Sequence, residues 1–129
     1  MKSALITAAA FTALAYSSAD AEMKLGFNWG NIPLCTTGNP NRLANPAFVL
    51  KGFPQGTTKV VFKLTDLDVP NYKHSGGTVK MSASGKVPRG AFKYKSPCPP
   101  SGMHTYEWAA TGIKGSKTLA VAKAHRNYP

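Results

Sequence analysis

The chain has 129 residues, with 16 Lys+Arg against 5 Asp+Glu and a formal charge of +11, a length that suits one domain with one modest core and excludes a second. Hydrophobic content of 43%, with 12 Gly and 10 Pro, is too rich in core formers for a disordered basic tail and too loop-rich for a helical bundle. What remains is an all-β or β-dominated class with at most one or two short helices.

Residues 1–21 read as a secretory signal peptide: Lys2 supplies a positive start, Ala4 to Tyr16 is uncharged and too short to span about 30 Å of hydrocarbon, and Ala19-Asp20-Ala21 resembles a cleavage site. The alternative, an N-terminal core helix, needs an amphipathic stripe, and this segment is apolar or small all round. The expected domain is 22–129, periplasmic or secreted. Losing Lys2 and Asp20 leaves 15 cations and 4 acids, +11 again on a shorter chain. Such a surface collects anions in a salt-dependent way, though charge for solubility would account for it equally. Lys51, Lys59, Lys63, Lys73, Lys80, Lys86 and Arg89 are spread along the sequence rather than gathered on one helix, which argues against a specific nucleic-acid partner.

Short alternating runs punctuated by Gly, Pro and Asn predict the strands of a sandwich or barrel. In chain order they are Lys24 to Trp29, Ala47 to Lys51, Lys59 to Asp66, Thr78 to Ala83, Phe92 to Lys95 and His104 to Ala110. Lys59 to Asp66, with Val60, Val61, Phe62 and Leu64, is the strongest. Asn31 to Asn45 and Ser96 to Met103 are expected as long loops. Thr118 to Arg126 mixes Ala with β-branched residues and leans towards a short helix.

Between Met23 and Pro129 only Asp66, Asp68 and Glu107 are acidic. Two of them sit two apart at the end of the best strand, before Val69-Pro70, and would share one face if the strand continued. An Asx-type turn satisfied by solvent and Lys73 is the plainer alternative. His74 follows in a Gly-flanked turn, and His104 opens a strand on which Tyr106 and Trp108 share its face. Each, taken singly, also fits an ordinary surface histidine, as does His125. Between them Pro97, Pro99 and Pro100 fix φ and remove backbone donors, so this stretch must be a stiff loop, either a pocket wall or a simple connection.

The order Asp66-Leu67-Asp68-Val69-Pro70, His74, then Tyr94-x-x-Pro97-Cys98-Pro99-Pro100-x-Gly102-x-His104-x-Tyr106 resembles the phosphatidylethanolamine-binding protein family, in its bacterial Raf-kinase-inhibitor-like branch. The match runs from about Pro46 to Pro129. It implies a two-sheet antiparallel sandwich with a small anion pocket at one end. Asp66, Asp68, Pro70, His74, His104 and Tyr106 would line that pocket, with Tyr94, Pro99 and Pro100 at its rim. Leu67 stands where the family usually has proline, Ser75 where a Trp often follows the histidine, and the C-terminal helix bordering the pocket in longer members is expected to be missing or abbreviated.

The resemblance implies a binding protein for a phosphate-like anion or phospholipid head group, with a homodimer as a further partner; the positive charge adds an anionic membrane surface, and no cofactor is expected. A metal-dependent or acid/base hydrolase built from the same Asp and His residues is the alternative, as is an inhibitor-like interaction module; no H-x-H, H-E-x-x-H or nucleophile-elbow motif is present. Export and an even cysteine count predict a Cys35–Cys98 disulfide. The short return from Asp68 to His74 predicts a cis Val69–Pro70 bond.

Overall fold

The computed structural model describes residues 22–129, so the expected signal peptide lies outside the described residues. Among the described residues nine strands run in order: β1 (Lys24–Phe27), β2 (Arg42–Ala44), β3 (Phe48–Lys51), β4 (Lys59–Asp66), β5 (Gly76–Lys80), β6 (Gly85–Val87), β7 (Lys93–Lys95), β8 (His104–Lys114) and β9 (Lys117–Tyr128). No helix occurs among the described residues, and every strand pairing is antiparallel. Three sheets result, ordered β1-β3-β6, β2-β7 and β5-β4-β8-β9.

Alternation explains how they pack. In β4 the buried positions are Val60, Phe62, Leu64 and Asp66, a period of two that turns one face inward. In β3 they are Phe48 and Leu50. These inner faces meet directly: Phe48 stacks on Phe62 with ring centroids 4.5 Å apart, and Trp108 meets Phe48 edge-on at 5.0 Å. A fully buried side chain of this kind contributes about 1.5 to 3 kcal/mol. Tyr94, expected at a pocket rim, is instead fully buried in this core, 5.1 Å from the Trp108 ring.

The 118–126 stretch is strand, not helix. β9 pairs with β8 along its whole length, setting Ala124 opposite Trp108, Ala122 opposite Ala110 and Ala120 opposite Gly112. The alanines leave room beside Trp108 on the inner face, and pairing overrides their helix propensity. β2 lies inside the expected 31–45 loop because it pairs with β7. β6, too short to show a pattern, pairs with β3. β5 begins earlier than expected, at two glycines. A Cβ on Gly76 would stand 1.8 Å from the Phe62 carbonyl oxygen, and one on Gly77 would stand 2.3 Å from the Phe92 ring. Only glycine lets β5 lie so close to β4 there.

Candidate functional site

Asp66 is the last residue of β4 and occupies an inward position in an otherwise apolar series. It sits opposite Tyr106 on β8, and His104 lies two residues earlier on the same face. The pairing therefore delivers a carboxylate, an imidazole and a phenol to one end of the sandwich. His104 Nδ1 donates to Asp66 Oδ2 at 2.6 Å. Asp66 Oδ1 accepts the backbone N–H groups of Asp68 at 2.9 Å and Val69 at 3.3 Å. The Asx turn and the inward acid are thus the same residue.

That turn ends the strand, so Asp68 does not share the Asp66 face. It is exposed, and its Oδ2 accepts the Thr105 N–H at 2.8 Å. Val69–Pro70 is trans, contrary to expectation. The chain returns through successive backbone turns, Val69 N–H to the Asp66 carbonyl and Tyr72 N–H to the Val69 carbonyl, each 3.1 Å. Ser75, at φ +60°, completes the reversal in the left-handed region that non-glycine residues rarely adopt. His74 is carried inward, and its Nδ1 donates to the Lys95 carbonyl at 2.8 Å.

The opposite wall is the proline loop. Pro97 and Pro99 are fully buried, and Ser96 binds the Asn41 carbonyl through both its N–H and its hydroxyl. Cys98 is bonded to Cys35, as expected, with Cα atoms 4.6 Å apart across 63 residues of sequence. The Cys35 N–H is held in turn by the Tyr128 hydroxyl at 2.8 Å. These ties bring Gly38 and Pro40 from the 31–41 strap to the rim.

The cavity opens to solvent at this end and has a volume of about 180 Å³. Asp66, His74, Pro99, Pro100, His104 and Tyr106 line it. Asp68, Pro70 and Tyr94 do not. Gly38, Pro40, Val69, Tyr72 and Cys98 line it as well, beyond the residues that the motifs point to. Tyr72 carries a usable signal, an aromatic side chain between the aspartates and His74. Gly38 and Pro40 reach the site through the disulfide and the Ser96–Asn41 bonds on either side of them. A wider hollow of about 350 Å³ lies at Asn28, Trp29 and 125–127. There the Trp29 indole N–H donates to the Asn127 carbonyl and the Arg126 Nε–H to the Phe27 carbonyl.

Electrostatics separate the groups in the cavity. Burial lowers the His74 pKa below its ordinary value, and the Lys95 carbonyl and the Asp66 charge offset this only in part, so the nearby carboxylate does not hold this ring's pKa high. Burial raises the Tyr106 pKa, and the Asp66 carboxylate pushes it the same way, so its hydroxyl stays protonated. Tyr94 is pushed up to about 12, again chiefly by burial. Because a carbonyl and a carboxylate only accept, both histidines carry hydrogen on Nδ1, and Nε2 of each is the nitrogen left over. Neutral, that nitrogen accepts; protonated, it donates. Asp66, Asp68 and His104 also offer ligand atoms within 4.8 Å of one another, though metal ligation by His104 Nδ1 would displace its bond to Asp66.

Compared with solved structures, the chain is similar to YBCL of E. coli, described as a member of the mammalian PEBP family, with a TM-score of 0.62 and 16% identity over 84% of this chain and 98% of that one. The fold is that of the phosphatidylethanolamine-binding proteins. CT736 of Chlamydia trachomatis, described as a homolog of the same proteins, superposes with a TM-score of 0.57 and 16% identity over the same shares of the two chains. No protein-family model and no curated protein matches the sequence. The phosphatidylethanolamine-binding fold accounts for the packing of the three- and four-stranded sheets, to which this chain adds a two-stranded sheet beyond the expected two, and what it places in its end cavity is read from its own residues.

Proposed function

We propose that this is an exported binding protein whose end cavity accepts a small phosphate-like anion, free or as a phospholipid head group. The observation that carries the reading is the convergence of two Nδ1-anchored imidazoles and a protonated phenol on one cavity of about 180 Å³. Their acceptors fix ring orientation, so once Nε2 is protonated an arriving anion meets donors already aimed by the fold. The chain's positive charge draws anions towards it. The disulfide is compatible with an oxidising compartment, and among the described residues no helix is long and apolar enough to cross a membrane.

The reading is of binding rather than catalysis, since the cavity lines up donors without a nucleophile beside a base. Protonated His74 donates from both nitrogens, and burial disfavours that state, so affinity should be greatest at acid pH and fall as pH rises through the histidine range. Calorimetric titration with inorganic phosphate and with phosphoethanolamine tests this. His104→Ala should remove a charge-assisted hydrogen bond of about 1.5 to 3 kcal/mol, one to two decades in affinity, while Lys117→Ala changes only the salt dependence. Equal affinity in wild type and His104→Ala would overturn the assignment, and heat on titration with a divalent metal alone would favour the hydrolase alternative.

A further inference from the structure

Two broad surfaces take no part in the cavity. On the four-stranded sheet, Lys59, Lys63, Lys80 and Lys123 project away from the core, with Val61 and Val121 between them. On the three-stranded sheet, Lys24, Lys51 and Lys86 project outward around Val49. Each sheet contains a lysine pair in direct register, Lys59 opposite Lys80 and Lys24 opposite Lys51. Like charges so placed are about 5 Å apart at Cβ and destabilise the ladder. Among the described residues, Glu107 is the one acid facing outward from a strand, and it is already paired with His125 and Lys123.

The Phe48–Phe62 stack shows that the inner faces of these sheets are packed together, so the two lysine faces look in opposite directions. We propose that the protein bridges two anionic lipid bilayers, one on each outer face. Neither face carries an outward arginine or a phenyl, phenol or indole ring among its strand residues. Arginine forks and stacking rings are what phosphodiester recognition in nucleic acids uses. Lysines around the exposed Val49 and Val121 on the outer sheet faces instead suit a diffuse anionic plane with a shallow apolar layer beneath it. This bridging is independent of the cavity.

The test uses full-length protein with vesicles of phosphatidylcholine alone and of phosphatidylcholine with phosphatidylglycerol, read by co-sedimentation and by turbidity. Wild type should sediment with the anionic vesicles and cluster them, in a manner reversed by salt. Neutralising one face, by Lys59→Gln with Lys63→Gln, Lys80→Gln and Lys123→Gln, or by Lys24→Gln with Lys51→Gln and Lys86→Gln, should leave sedimentation and abolish clustering. Neutralising both should abolish sedimentation, each lysine near the surface being worth about fivefold in affinity. Lys73→Gln with Arg89→Gln and Lys93→Gln, off both faces, and His104→Ala, in the cavity, should cluster vesicles as wild type does. Binding without clustering, clustering by a one-face variant, loss of clustering in either control, or tighter binding to mixed-sequence DNA than to the anionic vesicles would each overturn the proposal.

Discussion

β8 carries two histidine–carboxylate pairs of nearly the same length in opposite environments. His104 meets Asp66 at 2.6 Å with side chains 17% and 5% exposed, and His125 meets Glu107 at 2.7 Å with side chains 55% and 16% exposed. The difference is strand phase: Asp66 follows the inward series of β4, and Glu107 lies on the outward face of β8. Water can take the place of either partner in the outer pair. In the inner pair, Asp66 is also the acceptor for two backbone groups of the turn, so the same contact organises a cavity.

The largest effect should come from removing what separates the inner pair from solvent. Closing a loop of 63 residues stabilises by about 4 kcal/mol in the chain-entropy model, so Cys35→Ala with Cys98→Ala should lower the unfolding free energy in urea by that much and release the wall over His104. Next, Asp66→Ala strips the partner from one imidazole and from the Asp68 N–H, while the Val69 N–H keeps the backbone carbonyl of residue 66, and should cost about 2 to 3 kcal/mol, whereas Glu107→Ala should stay within about 0.5 kcal/mol of wild type. Comparable losses at the two acids in urea titration would erase the distinction. Phosphate affinity should separate the pairs again, with His125→Ala binding as wild type does by calorimetry where His104→Ala does not.

The smallest effect is on pH dependence. His74 has its folded-state pKa lowered, so it favours the folded state when neutral. That contribution is present above about pH 6.5 and is lost as pH falls through the lowered value. Urea midpoints of wild type should therefore fall on the acid side more steeply than those of His74→Gln. Matching slopes would remove His74 as a source of acid lability.

Much of this was legible in the residues, for identifiable reasons. The alternation of β4 carried Asp66 inward, and the order of aspartates, His74 and the proline loop pointed to most of the cavity wall. Tyr94 misled because a motif gives adjacency along the chain, whereas β7 turns that side chain into the core beside Trp108. Asp68 misled because the Asx turn at Asp66 stops the strand two residues short of it, so spacing by two does not apply. β9 was obscured by alanines whose value is the room they leave on a sheet. The strap residues Gly38 and Pro40 have no local signature, since they are placed by partners far along the chain, a disulfide 63 residues away and the Ser96 bonds to Asn41.

The cavity draws its wall from four separated stretches, at Gly38–Pro40, Asp66–His74, Cys98–Pro100 and His104–Tyr106. Detaching any one of them dismantles the site, so an occupant is held only by molecules in which all four are docked at once. Local openings of the strap, the turn or the proline loop then compete with occupancy as directly as global unfolding does, and a bound ligand suppresses all of them by mass action. At a free concentration of a hundred times its dissociation constant it would add about 2.7 kcal/mol, enough to slow amide exchange in segments far apart in the sequence together.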